Sequence, residues 1–278
     1  MISSTSNPTI KQIRKLSDRK ERQQSGLFYI EGLRIVGEAI QSRWEIDALV
    51  IAPELLTSLF GKQISDEYKY SGGEIIEVSS EVFKSISQKE GPQGIGAVVH
   101  QKWTSLDDVQ PVAEDLWVAL DQVQDPGNLG TILRTCDAVG ACGVILLDHS
   151  TDVYDLSSVR ASMGAIFSQK LVRASLSDFV SWKKSQSIFL VGTSDKAKVD
   201  YHQHTYETPL VILMGSERQG LQETHLSICD SVVRIPMLGR SDSLNLSIAT
   251  AVLLYEIFNQ RRDHLEVNQG IIKSRKGF

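Results

Sequence analysis

The chain has 278 residues, of which 41% are hydrophobic and 23% are charged, and its formal net charge is −5. This length allows two ordinary domains or one large one, and the apolar content is ample for a buried core. No run approaches the roughly 18 apolar residues that a membrane helix needs, and the first residues lack the apolar segment of a secretory signal. The composition therefore excludes a membrane-spanning protein and predicts a cytoplasmic one.

The cysteines and histidines give no sign of a metal site. Cys136, Cys142 and Cys229 are an odd number without C-x-x-C spacing, which favours reduced thiols in the cytoplasm. His202 and His204 lie two residues apart in a polar stretch, but no Cys or third His lies nearby. We therefore predict a surface or loop role for these histidines and no bound metal.

Basic residues cluster at two places on this acidic chain. Six lie between Lys11 and Arg22, against two acidic residues, and a second cluster lies between Arg261 and Lys276. Such clusters can bind a polyanion, but they can equally be solvated faces of the protein. Both interpretations stay open on charge alone.

Short apolar strands alternate with helices in two successive parts of the chain. In the first part, the pattern predicts strands at 27–30, 46–51, 75–78 and 95–99 and helices at about 9–22, 32–39 and 82–87. In the second part, it predicts strands at 116–120, 144–147, 170–172, 188–192, 210–214 and 232–235 and helices at 129–139, 157–165, 176–184 and from 245 onward. The apolar periodicity fails between 101 and 114, where we expect a linker.

This alternation is typical of an α/β protein. We predict a smaller α/β domain over residues 1–100, a doubly wound and mainly parallel sheet over 115–262, and a basic tail over 263–278. In such sheets, ligands bind outside the carboxyl ends of the strands. Three loops of this kind stand out, at 124–130, 215–220 and 236–245.

The glycines in these loops are typical of a backbone that approaches a ligand closely, although the usual nucleotide-binding patterns are missing. Loop 215–220 has a glycine at each end but no Lys-Ser/Thr ending, and the chain has no G-x-G-x-x-G that opens a first βα turn. Arg134, one helical turn beyond Gly130, could bind a phosphate or simply pair with a carboxylate. At the last loop, Ser243 or Asn245 could cap the helix that follows.

Taken together, the three loops resemble the three ordered motifs of the SpoU (TrmH-type) RNA ribose 2′-O-methyltransferases. The motifs are Asn128-x-Gly130-x-x-x-Arg134, Gly215-x-Glu217-x-x-Gly220 and Ile235-Pro236-Met237-x-Gly239-x-x-x-Ser243-Leu244-Asn245-x-Ser247-x-Ala249. Residues 1–100 resemble, more diffusely, the substrate-binding domain of family members that act on ribosomal RNA. That likeness is carried by Asn7-Pro8-x-Ile10-Lys11, Glu31-Gly32-x-Arg34 and Pro92-Gln93-Gly94.

The resemblance implies a catalytic domain tied in a deep trefoil knot, S-adenosylmethionine as cofactor, and a homodimer formed through the C-terminal domain. By position, the implied cofactor contacts are Thr193, Gly215, Ile235, Met237, Leu244 and Asn245. The implied catalytic residues are Asn128, Arg134, Glu217, Ser243 and Asn245. The resemblance also gives the basic residues a role, with RNA contacts expected at Lys11, Arg14, Lys15 and Arg34.

Arg134 is the central residue of this interpretation. A guanidinium stays protonated at neutral pH, so we first assign Arg134 to holding an RNA phosphate and stabilising developing alkoxide charge. Whether it also takes the proton stays open, and Glu217 and Ser243 could merely pin their loops.

The expected substrate is ribosomal RNA, with transfer RNA as the alternative. One rival function is a non-catalytic RNA-binding or ribosome-assembly factor. The other is modification of a base, which the ribose-type motifs disfavour.

Overall fold

The computed structural model describes residues 1–88 and 90–269, without the side chains of residues 263–269. Within it, the chain forms two compact units, each assembled from separate segments. Unit 1 comprises Met1–Trp103, Asp125–Arg134 and Thr151–Gln169. Unit 2 comprises Thr104–Gln124, Thr135–Ser150 and the chain from Lys170 onward. The middle of the sequence is therefore shared between the two units.

Unit 1 is built on a mixed sheet of four strands in the order β1-β4-β2-β3. The strands are β1 (Leu27–Glu31), β2 (Ile46–Ile51), β3 (Ile75–Glu77) and β4 (Ile95–His100). β4 is antiparallel to both of its neighbours, whereas β2 and β3 are parallel. The helices are α1 (Pro8–Lys15), α2 (Arg19–Ser25), α3 (Leu33–Gln41), α4 (Leu59–Tyr70), α5 (Ser80–Ile86), the first part of α6 (Pro126–Val139) and α7 (Leu156–Ser162).

The predicted helix over 9–22 is wrong in one respect, because the structure has two helices there. α1 ends at Lys15, and α2 begins at Arg19. The side chain of Asp18 accepts a hydrogen bond from Lys20 N at 2.7 Å, which is the N-cap arrangement that starts a new helix. The two helices therefore meet at a corner rather than forming one rod.

Helix α4 was not predicted, and its exposure explains why. Leu59 is 84% exposed and Tyr70 is 95% exposed, while Gly61, Ile64 and Ser65 are its buried residues. A helix that buries so few apolar side chains has a weak period of 3.6 residues in its sequence.

A buried arginine joins the corner between α1 and α2 to the segment Thr151–Gln169 of the same unit. Arg22 is 2% exposed, and its Nε donates to Oδ2 of Asp152 at 2.8 Å. Its Nη1 donates to the carbonyl oxygens of Leu16 and Ser17, both at 2.9 Å, and Nη2 lies 3.3 Å from Oδ2 of Asp155. Each guanidinium nitrogen thus has an oxygen partner, so the buried charge is fully compensated.

Unit 2 contains a sheet of seven strands in the order β7-β6-β5-β10-β8-β11-β9. The strands are β5 (Leu116–Asp121), β6 (Gly143–Leu147), β7 (Lys170–Ala174), β8 (Phe189–Thr193), β9 (Val199–Asp200), β10 (Leu210–Met214) and β11 (Ser231–Arg234). Each neighbouring pair is parallel, which confirms the predicted mainly parallel sheet. β5, β6 and β10 are buried along their whole length, as expected for central strands with both faces covered.

The helices of unit 2 are the last part of α6, α8 (Leu176–Ser185), α9 (Glu223–Leu226) and α10 (Leu246–Gln269). α10 includes the first residues of the predicted basic tail, and residues 270–278 of that tail lie outside the described residues. Among the described residues, we find no helix that is both long and apolar enough to cross a membrane.

The predicted helix over 157–165 is shorter in the structure. α7 ends at Ser162, because Met163 and Gly164 adopt left-handed backbone with φ of 53° and 98°. A short 3-10 turn, Ala165–Phe167, follows. The sequence pattern did not reveal this break, since the apolar residues continue on both sides of it.

We expect Arg22→Ala to lower the free energy of unfolding by about 3–5 kcal/mol, because it removes the guanidinium that compensates the buried carboxylate of Asp152. Chemical denaturation measures this change. The matched control is Lys20→Ala, which removes an exposed cation from the same helix and should change the free energy by less than about 0.5 kcal/mol. Equal losses in the two variants would contradict the role assigned to Arg22.

Candidate active site

Three of the residues predicted to bind the cofactor meet at one edge of the sheet in unit 2. β8 lies between β10 and β11, and all three strands are parallel. Thr193 is the last residue of β8, Gly215 follows β10, and Ile235 follows β11 by one residue. Since the carboxyl ends of neighbouring parallel strands lie side by side, these residues are brought together at the place where such sheets bind ligands.

The loop at 215–220 is folded tightly on itself. The N–H of Gly220 donates to the carbonyl oxygen of Ser216 at 2.9 Å, and Gly220 has a φ of +62°. A Cβ atom built on Gly215 would lie 2.1 Å from the carbonyl carbon of Gly220, a distance that no side chain tolerates. The close approach that this glycine permits is therefore between two parts of the loop itself.

The loop at 236–245 presents apolar side chains to solvent. Met237 is 36% exposed, Leu244 is 37% exposed, and Leu238 is fully exposed. Ile235, just before the loop, is half-buried. Apolar side chains beside free strand ends suit a ligand that combines an aromatic ring with polar groups. The residues present thus fit the adenosine and methionine parts of the cofactor implied by the resemblance.

Asn245, rather than Ser243, caps helix α10. Its Oδ1 accepts hydrogen bonds from Ser247 N at 2.9 Å and from Ser247 Oγ at 2.7 Å, and Ile248 N lies 3.4 Å away. Ser243 is exposed, and its Oγ donates to Oδ1 of Asp242 at 3.3 Å. The cap fixes the direction of the Asn245 side chain at the start of the helix.

Glu217 is held by a residue that the sequence did not single out. Its Oε2 accepts a hydrogen bond from the N–H of Gln124 at 3.2 Å. The side chain of Gln124 donates in turn to the carbonyl oxygens of Gln122 at 2.9 Å and His149 at 3.2 Å. Gln124 therefore connects the loops that follow β5, β6 and β10.

Asn128 and Arg134 lie on α6, in unit 1. The predicted start of this helix at Leu129 is wrong by three residues, because the helix begins at Pro126. Oδ1 of Asp125 accepts from Asn128 N at 2.7 Å, so Asp125 caps the helix and Pro126 takes its first position. Asn128 is half-buried in the first turn. Arg134 is exposed, and no ion pair joins it to another residue of the described chain.

Gly130 has a packing role within unit 1. A Cβ atom at this position would lie 2.2 Å from the carbonyl oxygen of Ser158 and 2.7 Å from Cβ of Ala161. Both contacts belong to α7, so the glycine lets α6 and α7 come into backbone contact. This replaces the sequence interpretation of Gly130 as part of a loop that approaches a ligand.

The residues predicted to contact RNA are at the surface of unit 1. Lys11, Arg14 and Lys15 lie on α1, and Arg34 lies in the first turn of α3; all four are exposed. The guanidinium of Arg14 already donates to Oγ of Ser85 at 3.0 Å. The other three side chains take part in no ion pair within the described residues.

Among the described residues, no group of three His, Cys, Asp or Glu side chains could hold a metal ion. A cavity of about 510 Å³ lies between the turn Leu106–Asp108, the end of β7 and α8. Its lining is mostly polar and includes none of the predicted site residues, so we do not assign the active site to it.

The sequence also missed a buried pair, Asp121 and His225, at the same sheet edge. Oδ2 of Asp121 and Nε2 of His225 are 3.3 Å apart. The two residues are more than a hundred positions apart in the chain, and neither belongs to a recognisable motif. No local pattern could have revealed the contact.

Comparisons with known proteins identify the family of the chain. Residues 115–255 match the SpoU rRNA Methylase family, and residues 7–97 match the MRM3-like substrate binding domain. The chain is 33% identical over 254 residues to a 23S rRNA (uridine(2479)-2'-O)-methyltransferase of Streptomyces viridochromogenes, covering 88% of this chain and 87% of that protein. It is 29% identical over 256 residues to the 23S rRNA (guanosine(2553)-2'-O)-methyltransferase RlmP of Bacillus subtilis (strain 168), covering 92% and 98%.

A solved structure extends the likeness to three dimensions. The AdoMet-bound rRNA methyltransferase from Sinorhizobium meliloti superposes with a TM-score of 0.85 at 38% identity. The match covers 94% of this chain and 97% of that one, so both units have counterparts in it.

We expect Gly215→Ala to lower the free energy of unfolding by about 1–3 kcal/mol, because the added methyl group overlaps the backbone of Gly220. Urea denaturation measures the change. The matched control is Gly239→Ala in the neighbouring loop, where the nearest atom to the new methyl group lies 4.0 Å away. That variant should stay within about 0.5 kcal/mol of the wild type. A tolerated Gly215→Ala would show that the loop is not closed as described.

Proposed function

Because the chain belongs to the SpoU rRNA methylase family, we propose that it transfers a methyl group from S-adenosylmethionine to a ribose 2′-hydroxyl of ribosomal RNA. The main support for this proposal is that Thr193, Gly215 and Ile235 lie at the carboxyl ends of three adjacent parallel strands. The relatives from Streptomyces viridochromogenes and Bacillus subtilis are both named 23S rRNA 2′-O-methyltransferases, which supports ribosomal RNA as the substrate class.

We assign cofactor binding to the loops around these three residues. When bound, S-adenosylmethionine supplies an activated methyl group on a positively charged sulfur. The strand ends offer backbone N–H and C=O groups, and Met237 and Leu244 offer apolar contact. The proposed set is Thr193, Gly215, Ile235, Met237, Leu244 and Asn245.

Transfer would form a bond between the ribose 2′-oxygen and the methyl carbon and break the sulfur–carbon bond, whose electron pair would stay on sulfur, while the hydroxyl proton would pass to solvent water. The protein must align the two reactants and stabilise the negative charge that develops on the oxygen. We assign the second task to Arg134, whose exposed guanidinium has no carboxylate partner among the described residues. Its planar fork of donors suits a phosphate or an alkoxide.

We assign Asn128, Glu217, Ser243 and Asn245 to orienting Arg134, the ribose or the cofactor carboxylate. The cap on α10 supports this for Asn245, since its side chain has a fixed direction. The hydrogen bond from Gln124 to Glu217 supports loop pinning as part of the role of Glu217.

We also propose that the C-terminal part of unit 2 is tied in a trefoil knot. After β10, the chain reaches β11 on the far side of β8. α10 then returns to the start of β5, where Arg261 donates to the carbonyl oxygens of Glu114 at 2.9 Å and Asp115 at 3.2 Å. The same helix contacts the segment before β10, where Gln260 Nε2 donates to His204 O at 3.0 Å. This return path of the last helix supports threading through an earlier loop.

The working unit that we propose is a homodimer formed through α10. Ile248 and Tyr255 lie two helical turns apart on one face of this helix and are 51% and 48% exposed. Leu253, Leu254 and Ile257 are fully buried within unit 2. A long helix that buries one side and still exposes large apolar residues on another supports a protein partner, for which we propose a second copy of the chain.

Backbone contacts with RNA are assigned to Lys11, Arg14, Lys15 and Arg34, whose exposure on unit 1 supports this role. We also propose the boundaries expected from the sequence, 1–100, 101–114, 115–262 and 263–278, as functional divisions, although residues 125–134 and 151–169 belong to unit 1 in the structure.

A cytoplasmic location is supported by the thiols. All three cysteines are free of disulfides, and burial raises the pKa of Cys136 and of Cys229 to about 12. Such thiols stay protonated and unreactive, as structural cysteines of reducing compartments do.

We expect Arg134→Ala to lower the rate of methyl transfer to unmodified ribosomal RNA by about 10²–10³-fold, because the developing alkoxide loses its cation. Transfer of labelled methyl groups measures the rate, and calorimetry should give an unchanged affinity for S-adenosylmethionine. The matched variant is Arg134→Lys, which keeps the charge but loses the fork and should fall between the two. Methyl transfer at the wild-type rate by Arg134→Ala would refute the role assigned to Arg134. In a parallel reaction of the wild type with transfer RNA, label in transfer RNA and none in ribosomal RNA would reassign the substrate.

We expect the double substitution of Ile248→Asp and Tyr255→Asp to convert the dimer into a monomer, because it introduces charges into an apolar interface. Light scattering coupled to gel filtration measures the mass. Leu59→Asp on α4, an apolar position of unit 1 that is 84% exposed, is the control and should leave the mass unchanged. A monomeric wild-type protein would contradict the dimer, and an unaffected double variant would exclude this helix face from the interface.

A further inference from the structure

A buried ionisable pair lies at the base of the loop at 215–220. Asp121 is the last residue of β5, and His225 lies on α9, the short helix that follows the loop. Oδ2 of Asp121 and Nε2 of His225 are 3.3 Å apart, and the two side chains are only 4% and 5% exposed. The pair is therefore shielded from solvent, where an electrostatic contact is strong and its loss is costly.

The strand register places Asp121 beside the start of the loop, and His225 follows its end. Met214, the residue before Gly215, is in register with Leu120, the residue before Asp121. The loop therefore starts beside Asp121, turns back at Gly220, and leads to His225. The contact between Asp121 and His225 thus joins β5, which lies beside the first residue of the loop, to α9, which follows the last residue of the loop.

The contact with Asp121 is the polar interaction of Nε2 of His225. Within the described residues, Oδ1 of Asp121 and Nε2 of His225 form no hydrogen bond, so the two side chains are joined by the 3.3 Å approach of Nε2 to Oδ2. The other ring nitrogen of His225 lies 3.5 Å from Oγ1 of Thr224. Removing Asp121 would leave Nε2 of His225 as a buried polar group without compensation, and removing His225 would leave the buried carboxylate of Asp121 less well compensated. Either change favours a local rearrangement that exposes the remaining group.

We propose that Asp121 and His225 are positioning residues that hold the loop at 215–220 in the form that binds S-adenosylmethionine. The inference rests on the proposed function, since it names how the cofactor loop is held. Neither residue belongs to the proposed cofactor contacts, so the pair acts through the loop rather than by touching the cofactor. Loss of the pair should weaken cofactor binding more than it slows the reaction of the saturated enzyme.

The charges around Asp121 give the pair a distinctive pH response. Burial raises the pKa of Asp121, and the negative charge of Asp148 raises it further. The charge of His225 and a hydrogen bond from Gln122 lower this pKa in part. As the pH falls through this raised pKa, the carboxylate gains a proton and loses its charge-assisted contact with His225. Affinity for S-adenosylmethionine should therefore fall on acidification, at a pH above the value of about 4 that is usual for an aspartate.

The test measures the dissociation constant of S-adenosylmethionine by calorimetry, on the full chain and over a pH series. His225→Ala should raise the constant by about 10–100-fold, with a much smaller effect on the rate at saturating cofactor. His225→Gln offers an amide N–H near the position of Nε2 and should restore binding to within about threefold of the wild type. Asp121→Asn should remove the acidic fall in affinity. His202→Ala, which removes an exposed histidine of the same unit, is the matched control and should bind like the wild type.

Three results would overturn the inference: unchanged binding by a folded His225→Ala protein, equal losses in the alanine and glutamine variants, or an Asp121→Asn variant that keeps the pH dependence of the wild type. If His225→Ala fails to fold, the glutamine and asparagine variants still decide. A wild-type protein that binds no S-adenosylmethionine would instead refute the proposed function, so the two failures are distinguishable.

Discussion

The parallel register of β8, β10 and β11 is the constraint on which the proposed site depends. Backbone hydrogen bonds align the three strands, and their carboxyl ends therefore reach the same edge of the sheet. Thr193, Gly215 and Ile235 come together for this reason, although they are spread over more than forty residues of sequence. A ligand at this edge meets backbone groups whose positions are fixed by the sheet, and the loops need to supply only apolar walls and a few polar side chains.

The loops gain their order from contacts that the sheet does not provide. The loop at 215–220 is closed by the backbone approach of Gly215 to Gly220. Gln124 ties it to the loop after β5 through Glu217. The contact between Asp121 and His225 ties its exit to the same strand. Three independent contacts thus hold one loop, which is what a site that must align two reactants requires.

Much of the fold follows from the periodicity of apolar residues. The predicted strands at 46–51 and 210–214 coincide with β2 and β10, because buried strands are short apolar runs with polar ends. The errors lie where local chemistry or exposure overrides that signal. Asp125 and Pro126 start α6 early, Asp18 splits the first helix, and α4 exposes too much apolar surface to have a clear period.

The site was predictable only in part. The motif residues were identified through their resemblance to a family, and the structure brings Thr193, Gly215 and Ile235 to one edge of the sheet. The positioning pair was beyond reach, since the contact between Asp121 and His225 joins segments that only the parallel sheet brings together. A single Asp and a single His carry no pattern in a sequence.

The atom of the RNA that receives the methyl group distinguishes a ribose 2′-O-methyltransferase from the rival functions. Purified protein would be incubated with methyl-labelled S-adenosylmethionine and unmodified ribosomal RNA, and the RNA would then be digested to nucleosides and separated. We expect label in a nucleoside methylated at the ribose 2′-oxygen. Label on a base would contradict the proposed chemistry, and a protein that binds the cofactor but labels no RNA would favour a non-catalytic RNA-binding factor.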